Sequence, residues 1–498
     1  MNWIIRCCFF LVLIAGCQSR NSKAPVDYVN PLIGTSVSRW MQFPGPAMPF
    51  GMVKLSPDNT DEWLMNAGYE DSIKSICGFG HIHSWMMGSF LMMPVTGELH
   101  TQPGTKDHPE GGYRSRIKPG STVASTGYYS VILEDYKIQA ELTATTRCGV
   151  QRYTFPKSSS SRIMIDLHVP EELHPLINRA TIRKINDTEI TGCIHRIDGW
   201  NDYTLHFVSR FSVPFQSMGG WKGTEISENL DSIATVYNID IGAFLNFNTT
   251  ENQKIVVQTG ISYVSSEQAR LNLETELGPF GWDFDAVHLN ARNVWNDLLS
   301  KIKVEGDSEN DKVKFYTNLY HAYCARSVFS DVNGKYTDAC ENVRQLPNPE
   351  NPVYGCDAFW MTFWNLNQLW SLVNPSIASK WVKSELQLYD DGGWLNRGPG
   401  GLEYSGIMVA EHEIPLITNA WMKGIRDFDA GKAYKAMKEI QTRPGQHHPC
   451  GGYAGNDNLA PYLRMGYVPS EEGPVSNTLE FAFDDWCVGQ MARALGKE

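Results

Sequence analysis

The sequence predicts a multidomain protein, with a β-sandwich first and a helical barrel or toroid after it. Three observations carry this. The chain has 498 residues, enough for two to four domains. Up to about residue 265, short alternating runs are separated by turn clusters. Beyond that point apolar residues recur at spacings of three and four.

The order of elements follows from those patterns. Tyr129–Leu133, Lys137–Thr143, Arg152–Phe155, Tyr203–Phe211 and Lys254–Ile261 read as strands. Pro119-Gly120-Ser121 and Ser158–Ser161 read as turns between them. Many short strands with frequent turns suggest a sandwich. Near Ser265 a helical segment opens, and Val287, Leu289, Val294, Leu298 and Ile302 mark a connecting helix. From Asp311 the pattern predicts only helices, broken by loops. Phe359–Leu372 is apolar nearly all round, so it predicts a helix buried on most sides. Ala378–Leu388, Ile407–Met422 and Ala430–Ile440 follow. The last helix opens with Ser476 as its N-cap and is expected to bury Val475, Leu479, Ala482 and Trp486.

The expected domains are therefore a leader over 1–17, a tether over 18–25, a sandwich over 26–265, linker helices over 266–310 and a helical domain over 311–498. Hydrophobic content of 42% and charged content of 20% are those of an ordinary globular chain. Net charge is −12 and no run of Lys and Arg stands out, so a nucleic-acid partner is not expected.

The N-terminus reads as a targeting segment. Arg6 precedes the apolar run Cys7–Ala15, which is too short to span a membrane. Leu13-Ile14-Ala15-Gly16-Cys17 resembles a bacterial lipobox, which implies acylation at Cys17, export and membrane anchoring through lipid. Eight cysteines remain beyond it, at 77, 148, 193, 324, 340, 356, 450 and 487. They form no C-x-x-C, so a zinc ribbon is excluded, and the sequence does not say which of them pair.

The densest chemistry lies in Gly68–Gly88, GYEDSIKSICGFGHIHSWMMG. His81, His83 and Trp85 alternate, so an extended backbone places them on one face. Such a face suits a polar ligand such as a sugar, and a hairpin with backbone-satisfied histidines is the structural alternative. Glu411 and His412 can reach a substrate hydroxyl or form a core ion pair. Trp394 reads equally as a sugar platform or a core residue. Asp484 and Asp485 are adjacent, so they point apart and form no dyad. His447 and His448 read as a solvated loop.

The ordered blocks resemble glycoside hydrolase family 92, exported bacterial α-mannosidases. They include Val29-Asn30-Pro31-Leu32-Ile33-Gly34-Thr35, Gly78-Phe79-Gly80-His81-Ile82-His83, Gly260–Ser265, Leu319-Tyr320-His321, Ser330–Gly334, Lys423-Gly424 and Ser476–Trp486. The resemblance covers nearly all of residues 27–498. It implies a β-sandwich on an (α/α)6 barrel, mannose-containing glycans as substrate, a calcium ion (Ca2+) and inversion at the anomeric carbon. It places His81 and His83 at or near the sugar site, and Trp85, Asp357, Trp360, Trp394, Glu411 and His412 complete the substrate-binding candidates.

Two departures follow. The family's W-D-T-F-R block is here Trp360-Met361-Thr362-Phe363-Trp364, with Asp357 and Asn365 as candidate replacements. The family's acid and base blocks are absent, so the resemblance implies an incomplete barrel, with catalytic carboxylates expected beyond Glu498. The expected function is an exo-acting α-mannosidase that is inactive over these 498 residues. A non-catalytic glycan-binding lipoprotein is the alternative.

Overall fold

The computed structural model describes residues 23–36, 42–60, 68–85, 87–88, 90–168, 176–197, 202–356 and 358–497. The leader, Cys17 and Asp357 lie outside the described residues.

Two antiparallel sheets form the first domain. One has seven strands, in the order Ser56–Asp58, Gly78–Gly80, Leu91–Thr96, Ser158–Asp166, Ile241–Thr249, Ser217–Lys222, Glu225–Ser227. The other has nine, from Ser232–Val236 through Leu176–Asn186, Glu189–Ile197, Tyr203–Phe211, Gln253–Ser262, Cys148–Phe155, Ile138–Ala144 and Tyr128–Leu133 to Val123–Ser125. Alternation along each strand puts one set of side chains between the sheets. Ile163, Ile165, Leu205, Phe207, Leu245 and Ile255 are all buried in that core.

The period changes where the strands end. Helix α1 (Ser266–Leu277) starts at an N-cap, Ser265, whose hydroxyl accepts the Gln268 N–H. It lies on the outer face of the nine-stranded sheet and, with α2 (Phe284–Leu299), buries Val150, Val208, Leu273 and Val287. Gly260 permits this approach, because a Cβ there would sit 2.3 Å from the Ala269 carbonyl oxygen.

The second domain is helical: α3 (Glu309–His321), α4 (Leu366–Val373), α5 (Pro375–Gly392), α6 (Glu413–Met422), α7 (Ala430–Thr442), α8 (Leu459–Met465) and α9 (Asn477–Ala494). It is not helices alone. Its loops pair into small sheets, Lys335–Thr337 with Val343–Gln345, and Pro399–Gly400, Glu403–Ser405, Gly452–Ala454 and Gln446–His447 in one four-stranded sheet. Gly-rich loops therefore satisfy their backbones by pairing rather than by coiling. Cys340 and Cys450 form a disulfide that ties the first hairpin to the four-stranded sheet.

The expected buried helix over Phe359–Leu372 is a correction. Met361 adopts a left-handed conformation, a 3-10 turn covers Thr362–Trp364, and α4 starts only at Leu366. Helix Ile407–Met422 likewise shortens to α6, because Gly406, Met408 and Ala410 are left-handed. In α9 the buried face is Asn477, Phe481, Asp484, Cys487 and Met491, whereas Leu479 is 76% exposed. This helix carries apolar residues on more than one face, so its pattern does not choose. Polar satisfaction does: Asn477 Oδ1 accepts the Ala410 N–H at 3.1 Å, and Asp484 Oδ2 accepts the Glu411 N–H at 3.0 Å.

The N-terminal segment crosses between domains. Val26, Val29, Phe43, Ala47 and Phe50 precede the sandwich strands but are buried with Tyr316, Tyr320, Trp381 and Ile414 of the helical core. Asn30 N–H donates to Thr317 Oγ1 at 3.0 Å.

Candidate functional site

The two expected imidazoles are enclosed by protein, not presented to a ligand. His81 is wholly buried against Phe90, with ring centroids 4.6 Å apart, and burial lowers its pKa to about 3. It is therefore neutral. His83 faces two acceptors, the Lys54 carbonyl at 2.7 Å from Nδ1 and Asp58 Oδ1 at 3.0 Å from Nε2. Burial opposes its charge, but the Asp58 carboxylate more than offsets this, and its pKa is raised. Both ring nitrogens donate. The flanking glycines are explained here: a Cβ at Gly68 or Gly80 would sit 2.1 or 2.5 Å from an Asp58 carboxylate oxygen. Trp85 is buried too.

Trp394 also belongs to the core. It is 2% exposed, with the Arg443 guanidinium 3.5 Å from its ring centre. His448 stacks on Tyr404 and faces the Gly392 carbonyl at 3.1 Å. Asp485 accepts from Tyr462 at 2.8 Å.

The structure brings together Trp360, Glu411 and His412, and adds three residues that the sequence does not single out: Arg326, Arg397 and Glu480. The centre is His412. Its Nδ1 accepts the Met361 N–H at 3.1 Å, so Nε2 carries the proton and donates to Glu480 Oε2 at 3.0 Å. Burial lowers the His412 pKa despite Glu480, so the ring is neutral. Phe363 closes over it, with centroids 4.8 Å apart, and packs on Phe483 at 4.9 Å. The Glu480 side chain is 20% exposed and Trp360 is 44% exposed. The Glu480 carboxylate, fixed by His412, thus reaches solvent, and the exposed Trp360 is the residue just before the Met361 N–H that His412 accepts.

Behind this face lies a closed acidic interior. Arg397 is buried and donates to the Ala410 carbonyl at 3.2 Å, to Glu411 Oε1 at 3.4 Å and to the Gly406 carbonyl. Its own carbonyl accepts the Phe359 N–H at 3.0 Å. Burial raises the Glu411 pKa even beside Arg397. It raises Glu413 and Asp484 well above the carboxylate range, and Glu385 to about 8. Glu385 therefore holds a proton at neutral pH.

Arg326, Cys356, Met361, Met408 and Ala410 have φ of 62°, 62°, 59°, 70° and 56°. Non-glycine residues in this region are uncommon and concentrate where surroundings over-determine the backbone, functional sites above all.

Stability should fall as pH rises. Glu385 binds its proton more tightly folded, at about 8, than the ordinary 4.5. Its stabilising contribution is full below 4.5 and is lost as pH rises to about 8. Denaturant midpoints at pH 5 and pH 8 should differ less in Glu385→Gln than in the unmodified protein. Equal differences in both would count against a buried, protonated Glu385.

A two-sheet domain followed by a helical domain with a loop-built site defines a two-domain class of protein. Within it, the chain belongs to glycosyl hydrolase family 92: the family's N-terminal domain matches residues 28–262 and its catalytic domain matches residues 268–498. It is similar to a family 92 α-mannosidase of Bacteroides thetaiotaomicron solved in complex with mannoimidazole. The TM-score is 0.84 at 29% identity, over 95% of this chain and 62% of that one. It is also similar to a family 92 inverting mannosidase of the same species, with a TM-score of 0.83 at 26% identity over 96% and 63%. An uncharacterized secreted glycosidase of Arthroderma benhamiae is 24% identical over 98% of this chain and 62% of its own length. The chain thus spans about three fifths of these relatives.

Among the described residues, no group of three or more His, Cys, Asp or Glu is placed to hold a metal ion. The calcium ion implied by the resemblance has no such ligand set among them.

Proposed function

We propose that this chain recognises α-mannosides of glycans as a glycoside hydrolase, with Glu480, held by His412, and Trp360 at the sugar. The observation that carries this reading is the partly exposed His412–Glu480 pair, anchored at Met361, the residue after the exposed Trp360. An ionised carboxylate accepts hydrogen bonds from sugar hydroxyls, and an indole face packs on pyranose C–H groups. Family membership and the two solved mannosidases support mannose as the sugar.

Inverting hydrolysis needs an acid and a base carboxyl roughly 6.5–9.5 Å apart, with water between. Glu411, Glu413 and Asp484 are buried and do not reach solvent. That burial favours a second reading, sugar binding without turnover by these residues.

Titration with mannoimidazole tests the first reading. Glu480→Gln and Trp360→Ala are each expected to weaken binding about tenfold, the size of one charge-assisted hydrogen bond or one aromatic contact. Unchanged affinity in both would refute this placing of the sugar. Release of mannose from α-linked mannobiose separates a hydrolase from a binder.

A further inference from the structure

We infer that Arg326 is a positioning residue that couples docking of the sandwich to the geometry of the Glu480–His412 face. The inference deepens the sugar-site reading above, and each link is a defined contact.

On the sandwich side, His83 donates to the Lys54 carbonyl, and the Lys54 ammonium is buried. That ammonium donates to the Gly51 carbonyl at 3.0 Å and Ser84 Oγ at 3.2 Å. It also crosses to the helical domain, to the Arg326 carbonyl at 3.3 Å and to Ser327 Oγ. Arg326 is held in a left-handed backbone conformation, at φ 62°. Its guanidinium lies 3.4 Å from the Phe359 ring centre and 4.1 Å from that of Trp381. Its Nη2 donates to the Ala358 carbonyl at 3.0 Å.

Three residues on from Ala358, the Met361 N–H meets His412, and His412 meets Glu480. Ala358 to Met361 is the stretch that carries Trp360. Its position is therefore set by a planar cation lodged in the corner of two rings that meet at 78°, and that cation's backbone is fixed by an ammonium from the other domain. A planar fork that stacks and donates at once is what a lysine cannot reproduce. Displacing Arg326 releases the Ala358 carbonyl and moves the Met361 N–H away from Nδ1. The His412 tautomer then loses what fixes it, and Glu480 loses its orientation.

Hydrogen exchange and histidine NMR on the full chain test this. Arg326→Lys and Arg326→Gln should raise exchange in a 358–364 peptide at least tenfold. A 203–211 peptide of the sandwich should be unchanged. The 15N signals of His412 should show the Nε2–H tautomer in the unmodified protein and lose it in both variants. Mannoimidazole affinity should fall in step with exchange. Folded variants with unchanged 358–364 exchange and an unchanged His412 tautomer would overturn the inference. If neither variant folds, Ser327→Ala decides, since it removes a Lys54 acceptor, together with the Ser84 hydroxyl contact, and leaves Arg326 in place. Faster 358–364 exchange there supports the coupling, and none overturns it. Should the unmodified protein fail to bind mannoimidazole, the sugar reading falls, while exchange and the tautomer still decide the role of Arg326.

Discussion

Breaking the Cys340–Cys450 bond is expected to cost about 5 kcal/mol. The bond closes a loop of 110 residues. In the chain-entropy account, a loop near that length restricts the unfolded ensemble by about 4.7 kcal/mol at 25 °C. The hairpin it fixes also touches the sandwich: Glu341 accepts from Thr204 at 3.3 Å and lies 3.7 Å from His195. Removing the bond therefore frees a domain contact as well as a loop. Denaturation midpoints of the oxidised protein and of the Cys340→Ser/Cys450→Ser double variant measure the difference. A change below about 1 kcal/mol would show that the bond is not a main stabiliser.

Arg397→Ala should follow closely, at about 3–5 kcal/mol, the range for breaking a buried ion pair by removing one member. The Ala410 and Gly406 carbonyls lose their donor, and Glu411 loses its cation. Without that cation the Glu411 pKa rises further and the carboxyl takes up a proton more readily, which limits the loss. Hence Glu411→Gln added to Arg397→Ala should cost less than the two changes summed. The Arg397→Lys variant should fall between, because an ammonium cannot fork to three acceptors. Strict additivity of the double variant would argue that the pair does not interact.

Much of the fold is legible in the residues, and the site much less. The strands are marked by period two, and the change near Ser265 coincides with a hydroxyl N-cap that any reader of helix starts would choose. The family is legible because blocks such as Gly78–His83 and Ser476–Trp486 carry it. The facing of those blocks is not. The strand Gly78–Gly80 ends just before His81, and both imidazoles, beyond it, are buried by their surroundings, so the alternation in sequence selects nothing. Glu480 sits inside a quoted block, yet its partner His412 is 68 residues away. Arg326 and Arg397 belong to no quoted block. Their importance comes from left-handed turns at Met361, Met408 and Ala410, and none of these is glycine, so the usual signal for such a turn is absent. The α9 stripe fails for a related reason, since Asn477 and Asp484 face inward to satisfy a loop.

The N-terminal segment has a consequence in time. Val26 to Phe50 are the first described apolar residues to be made, yet their partners lie in the helical core. Asn30 waits for Thr317, 287 residues later. At a synthesis rate of about 5–20 residues per second, that interval is roughly 15–60 s. The sandwich strands between them are complete well before it ends. During synthesis the protein thus carries a finished first domain with an unpaired apolar strand of chain at its front, a natural ligand for a holding chaperone. Burial of this segment therefore waits until Tyr316, Tyr320, Trp381 and Ile414 of the helical core have been made.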